Sequence, residues 1–306
     1  MSNKTAVQAV QPLAPSTTEL SKFRYQAGSR VLQVDNVLIE QPLQIRLLWQ
    51  QTANQAYQAQ VFSITMRTPG DDEALIIGLM LSEGVIQSYS HIHSIAPEVD
   101  DEDAASKTIN ENQWQVTLST GVVPDIKSLE RFQVTYSSCG LCGTTSLKSL
   151  EMKNPPALSQ KKHWLAFSTV SQMPELMRIE QAQFVQTGGS HASALFNEYG
   201  QLVDIKEDIG RHNALDKLLG ARLQRGKISS SQQCVLVSGR ISFEIVQKTV
   251  MAGIAVLVAV GAPSELAIFA AKRFNLTLIG FTTKSGFNLY HGDWRMLPLE
   301  EKCQKI

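Results

Sequence analysis

The chain has 306 residues, is 43% hydrophobic and 18% charged, and sets 28 Lys and Arg against 28 Asp and Glu. That length suggests about two domains with a sizeable core. The zero net charge argues against a general nucleic-acid binder, which carries a basic excess. The longest apolar run, residues 254–260, is far too short to span a bilayer. The N-terminus lacks the basic, apolar, small-residue order of a secretory signal, so a cytoplasmic protein with reduced thiols is expected, without a membrane partner.

Residues 1–22 are polar, with Pro12, Pro15 and a Ser-Thr-Thr cluster, and read as a disordered extension. Strand patterns follow over 31–39, 43–48 and 59–65. Pro69 and Gly70 then make a turn, and Asp71 or Asp72 is placed to cap a helix over 72–83 with Leu75, Ile76, Leu79 and Met80 on one face. Residues 96–112 are acidic and read as a loop. Residues 113–118 and 131–136 supply further strands. This half, 23–147, is a small α+β domain ending in the loop around Cys139 and Cys142. Residues 148–165, rich in Lys, Ser and Pro, read as a linker.

From 166 to 306 helices and strands alternate. A helix is expected near 171–182, a short strand over 184–186, and a hairpin of 192–196 with 201–206 around Asn197-Glu-Tyr-Gly200. Helices then follow from Asp208, from Gly239-Arg240 and from Glu265, with apolar strands over 234–238, 255–260 and 276–281, the last of the chain. Apolar strands alternating with helices require a sheet covered on both faces. The order matches a cytidine-deaminase-like three-layer α/β/α domain. The zinc-deaminase residues are missing, however. Where His-x-Glu and Pro-Cys-x-x-Cys belong, the chain has Arg211-His-Asn-Ala214 and Ser238-Gly-Arg-Ile241.

Two stretches carry chemistry. In Ser138-Cys139-Gly-Leu-Cys142-Gly143, glycines flank and separate two cysteines, which leaves both sulfurs accessible. The spacing suits half a zinc site, a dithiol–disulfide couple, or a sulfur carrier. A zinc site would need His191 and His212 as its other ligands, at a spacing unlike that of a zinc finger. Redox turnover would favour cysteines opening a helix, whereas a Ser/Thr-rich stretch follows here. Cys234 opens an apolar strand and suits the core, and Cys303 lies in a charged tail with no assigned role.

The second stretch is discontinuous. Open α/β sheets bind ligands beyond the carboxyl ends of their strands. Gly188, Gly189 and His191, then Arg211 and His212, then Ser238, Gly239 and Arg240, all fall at that edge. So does the run Phe281, Thr282, Thr283, Lys284, Ser285 and Gly286. Backbone N–H groups, helix N-termini and Arg240 suit a phosphate-bearing ligand such as a nucleotide or dinucleotide. Turn and cap roles explain each segment alone equally well, Asp208 as an N-cap included. Their meeting at one edge favours the ligand.

Met66-Arg-Thr-Pro-Gly70, Leu81-Ser-Glu-Gly84, the Cys139–Cys142 loop, Thr187-Gly-Gly-Ser-His-Ala192, Glu207-Asp-Ile-Gly-Arg-His-Asn-Ala-Leu-Asp-Lys217, Val237-Ser-Gly-Arg240 and Gly280-Phe-Thr282 together resemble the FdhD family of formate dehydrogenase accessory sulfurtransferases. The resemblance covers nearly the whole chain after the N-terminal extension. It implies a sulfurtransferase that takes a persulfide from a cysteine desulfurase on Cys139. The sulfur then passes to a molybdenum bis(pterin guanine dinucleotide) cofactor for the catalytic subunit of formate dehydrogenase. Residues 281–286 correspond to the guanine-dinucleotide contact, a GDP-like nucleotide is expected to mimic that cofactor, and a homodimer is expected. The role of Cys142 stays open among relay, resolution and assistance. The rival readings are a CxxC dithiol oxidoreductase and a non-catalytic module holding guanine nucleotide or zinc.

Overall fold

The computed structural model describes residues 15–100, 108–125, 147–148, 150–151, 153–226 and 232–299. The cysteine loop, the strand expected over 131–136 and Cys303 lie outside the described residues.

Two strands, β1 (Thr17–Gln26) and β2 (Ser29–Leu38), form an antiparallel ribbon. Ala27 and Gly28 join them, both at positive φ (49° and 77°), as a two-residue hairpin turn of the primed class requires. The disordered extension expected over 1–22 is thus corrected from Thr17 onward. The polar composition hid the strand because both faces of the ribbon are largely solvated. Phe23 pairs with Leu32 and Tyr25 with Arg30, whose guanidinium lies 3.6 Å from the Phe23 ring centre.

A four-stranded sheet in the order β4-β3-β6-β5 follows, built from β3 (Gln41–Trp49), β4 (Gln58–Arg67), β5 (Ile92–Asp100) and β6 (Thr108–Leu118). The acidic loop expected over 96–112 is therefore mostly an antiparallel pair, Val99 opposite Ile109. Its register shift between Pro97 and Glu98 breaks the alternation that would have announced it.

The last sheet has six strands in the order β12-β11-β10-β9-β7-β8. They are β7 (His191–Phe196), β8 (Leu202–Asp208), β9 (Cys234–Val237), β10 (Val256–Ala259), β11 (Thr277–Thr283) and β12 (Gly286–His291). The strands β9, β10 and β11 are parallel, as the cytidine-deaminase-like topology demands. The antiparallel β12 is a correction: β11 is not the last strand. Period-two alternation sends Val235 and Val237 to one core and Cys234 and Leu236 to the other. The helix α2 (Phe167–Glu180) covers the second face with Val170, Met173 and Met177. On the first face lie α4 (Arg211–Gln224), α5 (Phe243–Met251) and α6 (Glu265–Arg273). The short strand expected over 184–186 is instead the helix α3 (Ala182–Thr187). The Glu207 carboxylate accepts the Gln183 and Phe184 N–H groups at its start, which outweighs the β-propensity of Phe184 and Val185.

The helix α1 (Asp72–Ser82) lies between the four-stranded sheet and α4 and is buried on nearly every side, rather than on one face. Two glycines allow this approach. A Cβ on Gly78 would fall 1.9 Å from the Asp216 carbonyl oxygen, and one on Gly220 would fall 1.9 Å from that of Ala74. One hydrophobic core therefore runs through both halves.

Candidate functional site at the carboxyl edge of the six-stranded sheet

The ends of β8, β9, β10 and β11 and the start of β7 lie along one edge. Buried ion pairs fix this edge from beneath. Asp208, fully buried, accepts from Lys217 Nζ at 2.7 Å, Thr68 N at 3.1 Å, Gly210 N at 2.8 Å and Asn213 Nδ2 at 3.2 Å. Lys217 Nζ also donates to the Thr68 carbonyl at 2.8 Å, and Asn213 Nδ2 to that of Met66 at 2.7 Å. The turn after β4 is thereby clamped to the start of α4. A second buried pair, Asp216 with Lys248 at 2.8 Å, is joined by Ser82 Oγ at 2.9 Å. Burial raises the Asp216 pKa to about 6 despite Lys248. Burial would lower the Lys248 pKa, but Asp216, Glu244 and Glu83 push it up. Asp208 is thus not the side-chain N-cap of α4; that position is Gly210, and Asp208 is the buried partner of Lys217.

Above these pairs, His191, Arg211, Ser238 and Gly239 converge. His191 Nδ1 lies 3.2 Å from Ser238 Oγ, which accepts the Ala192 N–H at 3.0 Å. The serine oxygen has a second lone pair as well as its proton, so it can serve Nδ1 as acceptor or as donor. Burial and the Arg211 charge lower the His191 pKa, against a smaller opposing effect of Asp208, which favours the neutral ring. A Cβ on Gly239 would lie 3.3 Å from Arg211 Cδ and 3.4 Å from the His191 ring, so both side chains pack over bare backbone. Arg211 Nε is buried and has no partner among the described residues. Arg240 is exposed beside them.

The floor continues across the next strands. Gly261 N donates to the Gly239 carbonyl at 3.3 Å, and Phe281 N to that of Gly261 at 3.1 Å. A Cβ on Gly261 would sit 2.7 Å from the Gly239 oxygen, so no larger residue fits. Phe281 stands at the bulge between Gly280 and Thr283, with φ of 53° and its side chain 49% exposed. An aromatic residue in the left-handed region and facing water is an outlier of the kind that marks functional sites. The next side chain, Thr282, is buried, and its hydroxyl has no partner among the described residues.

Several expected contacts are rearranged. The Gly188 N–H donates to the Phe184 carbonyl and the Gly189 N–H to Thr187 Oγ1, so neither is offered to an anion. His212 has both nitrogens near partners, Nε2 3.2 Å from Ser242 Oγ and Nδ1 3.4 Å from Glu244. Ser238-Gly-Arg240 does not open α5. Ile241 is tied to the neighbouring loop by the Ala262 carbonyl, and Ser242 precedes the helix. Lys284 reaches Glu175 on α2 at 3.3 Å, and Thr283 Oγ1 lies 3.0 Å from both Ser285 Oγ and the Gly286 carbonyl. Residues 283–286 therefore form a self-satisfied hairpin turn, while Phe281 and Thr282 keep unspent surface or bonding capacity. Phe281 was expected at this edge, but its left-handed backbone was invisible to motif reading, as was the part of Gly261 in the floor. The sequence signal available for Gly261 was a glycine directly after an apolar strand.

Residues 40–297 match a model of the FdhD/NarQ family. The chain belongs to the FdhD/NarQ family. It is 42% identical over 281 residues to the sulfur carrier protein FdhD of Streptomyces avermitilis, covering 90% of this chain and 93% of that one. It is 36% identical over 273 residues to that of Mycobacterium tuberculosis (88% and 95% covered). To that of Saccharolobus solfataricus it is 37% identical over 256 residues (84% and 89% covered). Its fold is similar to that of a crystal structure designated a formate dehydrogenase accessory protein, from Desulfotalea psychrophila. The TM-score is 0.68 at 22% identity, covering 92% of this chain and all of that one.

Proposed function

We propose that this FdhD/NarQ chain is a sulfur carrier, a sulfurtransferase of the persulfide type acting for formate dehydrogenase. The Cys139 thiolate attacks the terminal sulfur of a desulfurase Cys–S–SH. A new S–S bond forms on Cys139, the old one breaks, and the desulfurase cysteine leaves as the thiolate. The outer sulfur then passes to a molybdenum bis(pterin guanine dinucleotide) held as substrate at the sheet edge. The S–S bond breaks to leave the Cys139 thiolate, while the substrate metal or a cellular dithiol supplies the two electrons that take the sulfur to sulfide. Membership of a family whose relatives bear the name sulfur carrier protein supports the first half. The observation that carries the second is the convergence of His191 and Arg211 over Gly239, Arg211 with an unpartnered Nε among the described residues, on the edge that runs through Gly261 to the exposed Phe281. Guanidinium and imidazole N–H groups suit a diphosphate, and an exposed ring offers a base a stacking face.

GDP titration by calorimetry tests this, with ADP and GMP beside it. The reading expects GDP to bind more tightly than either, and Arg211→Gln to weaken it by about tenfold or more. Equal affinity for GDP and GMP, or an unaffected Arg211→Gln, would contradict the diphosphate assignment.

A further inference from the structure

The loop from Ser238 to Ser242 carries two serines, each paired with a histidine from a different element. The pair already described, His191–Ser238, uses Nδ1 toward the serine and has no carboxylate at Nε2 among the described residues. The other has one. His212 Nε2 lies 3.2 Å from Ser242 Oγ, and His212 Nδ1 lies 3.4 Å from Glu244 Oε2. Ser242 is the N-cap of α5, yet its side chain makes no capping hydrogen bond; its hydroxyl faces His212 instead. It comes after a parallel strand and immediately precedes a helix, so the positive end of α5 adjoins it although its oxygen accepts no N–H from that turn.

We propose that Ser242, His212 and Glu244 form a nucleophile–base–carboxylate chain, and that Ser242 reacts with activated acyl groups, esters or thioesters, carried by an anionic molecule. In the reaction Ser242 Oγ bonds to the acyl carbon and its proton moves to His212 Nε2. The alcohol or thiol then leaves with that proton, and water, deprotonated by the same nitrogen, releases the acid. Glu244, a charge partner 3.4 Å from Nδ1 that is also paired with Lys248, balances the imidazolium. Arg211, next to His212 in sequence and with an unpartnered buried Nε, supplies the positive charge that selects an anionic carrier.

The groups facing His212 support this state. Burial lowers its pKa to about 4; Glu244 opposes, while Lys248 on α5, Arg211 on α4 and His191 on β7 add to the lowering. Burial would raise the Glu244 pKa, but Lys248 and His212 bring it down. A neutral histidine between a hydroxyl and an ionised carboxylate is the resting state such a chain needs.

The test is labelling of the full chain with a fluorophosphonate probe, where Ser242 Oγ displaces fluoride and the proton goes to His212. Modified peptides are mapped by mass spectrometry. The proposal expects one labelled residue, Ser242, with labelling lost in Ser242→Ala and slowed at least about a hundredfold in His212→Gln. In wild type the rate should stay nearly flat from pH 8 down to pH 5, because His212 remains neutral there. An unassisted serine would react about tenfold faster per pH unit, following its alkoxide. That slope, label on Ser238 instead of Ser242, or no label on folded wild type would overturn the proposal. The wild-type pH profile decides the matter even if a variant folds poorly.

Discussion

Replacing Lys217 by Met tests whether the long motif 207–217 is held by the buried pair beneath the site. Lys217 and Asp208 are both essentially inaccessible, and their 2.7 Å contact is the only full positive charge set against this carboxylate among the described hydrogen bonds. Methionine keeps most of the volume but leaves Asp208 with three neutral donors, from Thr68, Gly210 and Asn213. It also strands the Thr68 carbonyl. Breaking one side of a buried pair costs about 3–5 kcal/mol. For a chain of this size that is a fall in Tm of roughly 6–20 °C. Urea denaturation followed by circular dichroism gives the stability, and adding Asp208→Asn should recover part of the loss by removing the orphaned charge. A loss below about 1 kcal/mol, or no recovery in the double variant, would refute the reasoning and return Lys217 to the pool of candidate ligand contacts.

Gly78→Ala should cost at least about 3 kcal/mol in the same denaturation assay, because its Cβ meets the Asp216 backbone at 1.9 Å and neither helix can yield locally. A normal midpoint would mean that α1 and α4 do not pack this closely. Phe281→Gly should leave stability within about 1 kcal/mol, since relief of left-handed strain offsets backbone entropy. The same change should weaken GDP binding by about tenfold in calorimetry, through loss of the stacking face. For His212, the folded pKa of about 4 lies below the ordinary 6.5, so the unfolded chain binds the extra proton in between. Stability contributed by the neutral ring is complete above pH 6.5 and is lost as pH falls toward about 4, by up to about 1.4 kcal/mol per pH unit. Asp216, whose pKa is raised to about 6, tilts stability the opposite way over an overlapping range, so chemical denaturation should show this slope as the difference between wild type and His212→Gln.

The apolar strands and helices of the second half were legible because β9 and β10 are buried on both faces and read as unbroken hydrophobic runs. The strand β2 was legible too, expected over 31–39, but its partner β1 was not, because its residues are exposed along nearly their whole length and give no inward face to pattern. Neither was β5, whose acidic run and register shift imitate a loop. At the site, motif reading brought His191, Arg211, Ser238 and Gly239 to one edge, which is where the fold gathers them. It could not divide the motif 207–217 between the buried Asp208–Lys217 pair and the upward-facing Arg211, since that division depends on the contact with Thr68, about 140 residues away in the chain. Nor could it see that Gly188 and Gly189 spend their N–H groups on α3.

The central claim is tested most directly by the intact mass of the protein after incubation with a cysteine desulfurase and cysteine, comparing wild type with Cys139→Ala and Cys142→Ala. A sulfur carrier predicts a gain of at least one sulfur atom that a reducing thiol removes and that Cys139→Ala abolishes. No gain in wild type, with the desulfurase competent toward another acceptor, would contradict it.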